Sequence, residues 1–337
     1  MSKEKKLIVG SRNSRMALAQ TNEFIDAFLI ENTDFNRENI EIRPVTTSGD
    51  INQKDRLDLI GGKGLFVKEI EQMLLDREID VAVHSMKDMP TIMTTGLKVA
   101  AWLQRGDERE VLISNQNQTL ADLTKNSIIG TSSIRRRSQV LNIRTDLCIK
   151  LIRGNVDTRI QKFDDGQYDA LILGYGGIKR LDLENRISQT FSIDEILPPA
   201  CQAAIGIQTL DEDSDLISLI SKTNNKNSSI IGLAERTVLG TLQANCNSPV
   251  GVLASIDDEK DFTIKVELFS HNGSEKYFTK AQGKVADSNK LAKEAALNII
   301  DKVGHEYIKK LDILEDDFNI ILSAASLANL FESATFP

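Results

Sequence analysis

Through the first two-thirds of this 337-residue chain, short β-rich runs alternate with stretches of helical period. That alternation restricts the fold to mainly parallel sheets with helices on both faces. Leu7-Ile8-Val9, Ile79–His84 and Leu97–Leu103 read as strands, with a helix from Ser14 to Ile30 that Ser14 caps. A second set opens near Arg105, with runs at Val111–Ser114, Ser127–Gly130, Cys148–Ile152 and Asp169–Leu173. The two sets echo each other where Ile8-Val-Gly-Ser-Arg-Asn-Ser-Arg15 parallels Ile128-Ile-Gly-Thr-Ser-Ser-Ile-Arg135. Each is a strand, a small polar turn and a helix start, which predicts two similar lobes facing across a cleft. Pro198-Pro199 interrupts the second set, and Ala204–Leu210 reads as a strand crossing back into the first. A double crossing makes a hinge.

The expected domains are therefore 1–103 with 204–221, 104–203, and a small α+β domain over 226–337. The polar tract Ser221–Ser229 reads as a linker into the third of these. Beyond it come a helix near Ile230–Leu242, strands near Val250–Ala254, Phe262–Phe269 and Lys276–Ala281, and a long helix from Asn289 to Lys310. A chain this long exceeds one core. No apolar run reaches the length of a membrane span and no signal-peptide core follows Met1, so the expected setting is cytoplasmic. Three scattered cysteines, Cys148, Cys201 and Cys246, fit a reducing compartment and lack the spacing of a metal site. Cys148 lies in a strand and is expected in the core. The net charge of −8 argues against nucleic acid, so any anion site is local. Nothing in the sequence calls for more than a monomer.

Several segments carry candidate chemistry. Val81–Pro90 runs an apolar strand into His84, Ser85, Lys87 and Asp88, and Pro90 ends it, placing Lys87 and Asp88 on a turn. Strand ends are where α/β folds place chemistry. Gly61-Gly-Lys-Gly64 precedes a helix with apolar Phe66, Ile70, Met73 and Leu74, so Lys63 and exposed amides make an anion site. It lacks the Ser or Thr of a magnesium-nucleotide loop, which weighs against phosphoryl transfer. Thr131-Ser132-Ser133-Ile-Arg135-Arg136-Arg137 puts three cations at the positive end of a helix, an arrangement unfavourable unless an anion sits there. Arg12, Arg153, Arg159 and Arg180 lie in or beside further turns, and a solvated basic face is the plain alternative to a shared carboxylate site. Cys246 lies in a loop after a helix with no histidine nearby in sequence, which suits a residue bearing a covalent group better than a turnover nucleophile.

Val81–Pro90, Gly61–Glu69, Gly130–Arg136, Arg153-Gly-Asn-Val156 and the Cys246 loop, in that set, resemble hydroxymethylbilane synthases, also called porphobilinogen deaminases. The resemblance spans roughly residues 6–255. It implies two periplasmic-binding-protein-like lobes and a third domain carrying a dipyrromethane cofactor as a thioether. It implies stepwise head-to-tail joining of four porphobilinogen molecules, with loss of ammonia, and hydrolytic release of the linear product. On matching positions Cys246 bears the cofactor and Asp88 is the catalytic carboxylate. Arg12, Ser14, Lys63, Lys87, Thr131, Ser132, Ser133, Arg135, Arg136, Arg153, Arg159 and Arg180 hold acetate and propionate arms. The chain departs from the family where two glycines usually precede the cysteine, here Ala244-Asn245, with Thr241 in place of an arginine. It departs again where a hinge Gly-Gln-Gly reads Cys201-Gln202-Ala203, and where Leu59 replaces a frequent lysine. A non-catalytic carboxylate-binding protein of the same two-lobe form is the competing reading.

Overall fold

The computed structural model describes residues 6–47, 67–245 and 248–312. The first lobe opens with β1 (Leu7–Arg12), α1 (Arg15–Glu31), β2 (Ile40–Val45), α2 (Lys68–Leu75), β3 (Val81–Ser85) and β4 (Leu97–Trp102). The chain then crosses to β5 (Glu110–Ser114), β6 (Ile128–Gly130), α3 (Ile134–Ile143), β7 (Cys148–Lys150), α4 (Val156–Asp164), β8 (Ala170–Gly174), α5 (Tyr175–Arg180) and β9 (Gln189–Thr190). It returns as β10 (Ile205–Leu210) and α6 (Ser214–Ser221). The third domain is α7 (Lys226–Leu242), β11 (Val250–Ile256), β12 (Asp261–Phe269), β13 (Lys276–Lys284), α8 (Ser288–Val303) and α9 (His305–Asp312). Among the described residues no helix is long and apolar enough to cross a membrane.

The first sheet has the order β2-β1-β3-β10-β4 and the second β7-β6-β8-β5-β9. The pairs β1–β2, β1–β3, β6–β7 and β6–β8 are parallel. In each sheet the fourth strand runs antiparallel to both neighbours, and in each it is the strand that arrives from the other lobe. The sheets are thus mixed where the sequence predicts parallel ones, because a strand entering across the hinge meets its sheet from the opposite end.

Apolar runs occupy the inner strands because helices cover both faces. Ala170–Leu173 of β8 are all buried. In the first lobe Phe24, Ile25 and Phe28 of α1 are fully buried against Leu7, Val9, Val81, Val83, Ile205 and Ile207. Each such side chain contributes on the order of 2 kcal/mol of hydrophobic stabilisation. Ser14 caps α1 by accepting from the Ala17 amide at 3.2 Å, as its position predicts. In the third domain Val252, Phe262, Ile264, Val266 and Leu268 face Ala234 and Val238 of α7 and Ala292, Ala295, Ala296 and Ile299 of α8. The small residues on α8 bring its backbone close to the sheet.

Three expectations are corrected. The tract Ser221–Ser229 is not a linker: Asn225 caps α7 through the Ser228 amide at 2.9 Å and donates its own N–H to the Trp102 carbonyl at 2.7 Å. Asn224 accepts from the Trp102 amide at 2.9 Å, so the tract is stitched to the end of β4. The long last helix is broken at Gly304, whose φ of +77° ends α8 before α9 begins. Cys148 is half-buried, since β7 is the edge of its sheet.

The join between the first lobe and the third domain rests on a close approach of α7 to Trp102. A methyl at Gly232 would lie 2.1 Å from the Trp102 ring, which is itself buried. Gly232→Ala therefore gains about 1 kcal/mol of helix propensity and loses more to the displaced indole, since overpacking costs about 1–3 kcal/mol. A net destabilisation of about 1–2 kcal/mol is expected in denaturant melts, and a more stable variant would mean the helix is free to shift.

Candidate functional site

The site forms where the strand ends of both lobes meet the third domain. Past β3 the chain makes one tight helical turn, Met86–Asp88. Met86 is buried beneath Gly206, and its amide donates to the Ala204 carbonyl at 3.0 Å, so the turn is anchored to the hinge segment. This leaves Asp88 half-buried and the Lys87 side chain exposed to the cleft. Lys87 is nonetheless enclosed by protein on several sides. That enclosure pulls its pKa below the ordinary lysine range, Arg136 and Arg135 pull the same way, and Asp88 and Glu110 oppose them.

The end of β6 makes the facing wall. Thr131 accepts from the Ser133 amide at 3.1 Å, and Ser133 caps α3 by accepting from the Arg136 amide at 3.4 Å. Arg135 and Arg136, both buried, converge on the carboxylate of Glu110 at the start of β5, Arg136 at 2.8 Å. Arg135 also donates to Gln139 at 2.7 Å and to the Leu197 carbonyl at 2.8 Å. The anion that the crowded helix start demands is therefore supplied from within. Sequence reasoning missed Glu110, although an acid at the head of Val111-Leu-Ile113 is an anomaly that could have marked it. Burial pushes the Glu110 carboxyl up, but Arg136 and Arg135 outweigh it and hold its pKa down to about 2.

Arg159 donates to Ser132 at 3.1 Å and to the Gly154 carbonyl at 2.9 Å. Burial, with Arg136 and Arg153 as like-charged neighbours, lowers its pKa to about 10. Arg153 and Arg12 are half-buried, and Arg12 lies close enough to His84 to oppose its protonation. Ser14 is occupied as a helix cap. Arg180 is engaged otherwise than by a ligand: its Nε donates to Glu23 of α1 at 2.7 Å and its Nη2 to the Ala203 carbonyl at 3.3 Å. A carboxylate arm at Arg180 would have to displace Glu23, so this residue ties the two lobes to the hinge. Lys63 and Gly61–Gly64 lie outside the described residues, as does Cys246.

His84 is not a base for a cysteine. Its Nε2 donates to Gln208 at 2.9 Å, Gln208 donates to Glu71 at 2.7 Å, and Thr94 donates to Glu71 at 2.6 Å. Burial lowers the His84 pKa to about 4, against the opposing bond to Gln208 and with help from Arg12. The imidazole is therefore neutral and serves the packing of β3 on β10.

A cavity of about 140 Å³ lies at the junction. Its walls are Lys87–Thr91 from the first lobe, Ser133 and Arg135 from the second, and Ala244, Asn245, Ser248 and Val250 from the third domain. The residues on both sides of the Cys246 loop thus face the same space as Asp88. The buried Nε–H groups of Arg135 and Arg136 have no partner among the described residues. Acid arms of a polycarboxylate are the chemistry that fits such donors.

Two pH windows follow. Below pH 6.5 the unfolded chain protonates its histidine while folded His84 resists to about 4, so stability falls as pH drops through that range. Below 4.5 the unfolded glutamate takes up a proton that folded Glu110 resists to about 2, and the fall continues. Each step is on the order of 3 kcal/mol. His84→Gln should flatten the upper window and Glu110→Gln the lower, read from denaturant melts at stepped pH. An unchanged profile in either variant would remove that group from the account.

The family model described as porphobilinogen deaminase, dipyromethane cofactor binding domain, matches residues 7–218, and its C-terminal domain matches 230–301. The porphobilinogen deaminase of a Nitratiruptor species is 40% identical over 314 residues, covering 92% of this chain and 98% of that one. That of Chlorobaculum tepidum is 44% identical over 252 residues, 75% of this chain and 80% of its own. That of Staphylococcus carnosus is 38% identical over 309 residues, covering 91% and 99%. Among solved structures, a periplasmic domain of Bordetella pertussis BvgS aligns with 69% of this chain and 91% of its own at 14% identity and a TM-score of 0.38, which adds nothing to the strand orders. With both of its domain models matched in order and close relatives spanning nearly its whole length, the chain belongs to the porphobilinogen deaminase family, enzymes of tetrapyrrole biosynthesis that act on porphobilinogen with a dipyrromethane cofactor.

Proposed function

We propose that this chain is a transferase that joins porphobilinogen units head to tail, with Asp88 as the catalytic carboxylate and Cys246 as the cofactor's thioether anchor. The observation that supports this best is the shared cavity, in which the Asp88 turn and both flanks of the Cys246 loop face one another. When bound, the dipyrromethane supplies a pyrrole with a free α-carbon on which the product grows. This chain's residues do the rest. Arg135, Arg136, Arg153, Arg159, Arg12, Lys63 and Lys87 bind acid arms, and Thr131, Ser132 and Ser133 orient them through hydroxyls and the α3 start. Arg180 and Ser14 act from behind, through the lobe contact and the α1 cap.

Porphobilinogen carries an ammonium on its aminomethyl carbon. The C–N bond breaks with its electron pair going to nitrogen, ammonia leaves, and a cation delocalises over the methylene and pyrrole. The Asp88 carboxylate lowers the energy of that cation and takes the proton released when the new C–C bond forms. Water then releases the linear four-unit product, its hydroxyl going to the methylene carbon of the first unit and its proton to the primer carbon that this unit leaves. The acidic net charge of −8 argues against a nucleic-acid partner, and the proposed form is a cytoplasmic monomer.

Asp88→Asn should keep its fold and its cofactor and lose turnover by a factor of about 10² or more. Intact mass under denaturing conditions tests the anchor. Wild-type protein should carry the excess of a dipyrromethane and add further units with porphobilinogen, whereas Cys246→Ser should weigh only its polypeptide. Equal masses for the two, or wild-type turnover from Asp88→Asn, would overturn the assignment.

A further inference from the structure

The turn bearing Asp88 has little backbone bonding of its own. Met89 donates weakly to the Met86 carbonyl at 3.4 Å, and Pro90 has no N–H to give. The carbonyls of Met89, Pro90 and Thr91 point instead at one side chain of the third domain, Arg236 of α7. Its guanidinium donates to Met89 at 3.4 Å, to Pro90 at a closer distance and to Thr91 at 3.1 Å, and it touches the Met93 sulfur at 3.4 Å. No carboxylate faces it among the described residues. Burial lowers its pKa, with only the Cys201 thiol opposing. An arginine partly removed from water without a counter-ion is costly, so its place is explained by the carbonyls it gathers. One turn further on, Gly240 approaches the Thr91 side chain, and Leu239 lines the cavity beside Asp88. The same helix then ends at Gln243, and Ala244 and Asn245, which precede Cys246 in sequence, line the cavity wall.

We infer that Arg236 is a positioning residue: it clamps the segment after Asp88 to the helix that delivers the cofactor cysteine, fixing acid and tether relative to each other. This rests on the role of Asp88 proposed above. Arginine suits the task because a planar fork reaches several carbonyls at once, and misplacement of a reacting group by about 1 Å costs on the order of 10²-fold in rate.

The test is a double-mutant cycle on cofactor-loaded protein, with loading checked by intact mass and folding by thermal melts. Arg236→Met should lower kcat between about tenfold and 10²-fold with KM within about twofold, and Arg236→Lys should recover part of the loss. In the Asp88→Asn background the Arg236→Met loss should vanish, because a clamp has nothing left to position. If Arg236→Met does not fold, the cycle with Arg236→Lys decides. Losses that multiply in the double variant, or a raised KM at unchanged kcat, would overturn the clamp while leaving Asp88 in place. Wild-type turnover from Asp88→Asn alone is the separate result that removes the reading beneath it.

Discussion

The buried carboxylate of Glu235 is the contact on which the arrangement of three domains depends. It is fully buried on α7 and accepts from Arg105 at 2.7 Å, the Cys201 amide at 2.5 Å and the Ala254 amide at 2.9 Å. Arg105 lies on the outgoing crossing, Cys201 on the returning one and Ala254 on the third domain's sheet. Arg105 in turn donates to the Gln202 carbonyl at 2.8 Å and, by its amide, to Ser228 at 2.9 Å. Burial works against the Arg105 charge, but Glu235 outweighs it and holds the guanidinium above its ordinary pKa. Such a pair adds little net stability over an apolar substitute, yet losing one partner costs about 3–5 kcal/mol because the other is stranded. Its effect is to specify geometry: both hinge strands are referred to the domain that bears the Cys246 loop.

That reference explains how the hinge tolerates its departures from the family pattern. Cys201 and Ala203, standing where glycines are usual, adopt φ of +60° and +62°. A left-handed conformation costs an L-residue about 1–2 kcal/mol, and here the bonds from Glu235 to the Cys201 amide and from Arg180 to the Ala203 carbonyl hold it. The lobes also meet through Arg15–Asp157 at 2.6 Å and, beside the hinge carbonyl of Ala203, through Arg180–Glu23 at 2.7 Å. The first of these is largely solvent-exposed and worth under about 1 kcal/mol. The hinge, with Arg180 bonded to it, is therefore held more firmly than the exposed Arg15–Asp157 contact, an asymmetry suited to a cleft whose contents grow.

Much of the fold was legible because burial on both faces writes continuous apolar runs such as Ala170–Leu173 and Val81–Val83, and because Ser14 and Ser133 cap where small polar residues meet a helical period. What local pattern could not give was direction across the hinge, so β5 and β10 turned out antiparallel. The break at Gly304 and the helix start at Asn225 were missed because a long helical period outweighed one glycine and a polar composition outweighed a cap. At the site the turns bearing Asp88, Ser133 and Arg153 were legible as punctuation between runs. Glu110, Arg105, Glu235 and Arg236 were not, since their partners lie 19 to 147 residues away and nothing in a linear pattern joins them.

The cations that remain after Glu110 is counted set the character of the cleft. One carboxylate serves both Arg135 and Arg136, while Lys87 and Arg159 stand within reach of their field. Arg135 and Arg159 are each pulled down to about 10, and Lys87 is lowered too, with burial the first cause in all three and like charge contributing. Arg135 and Arg159 remain cationic at neutral pH, so their depression reflects desolvation with like-charge crowding added to it rather than charge lost. An incoming acid arm relieves that crowding and draws each pKa back toward its ordinary value, so its binding gains from every cation in the group and not only from the one it touches. Affinity built this way depends on the number of acid groups more than on the shape of what carries them, which lets one pocket hold a chain that lengthens while its repeating unit stays the same.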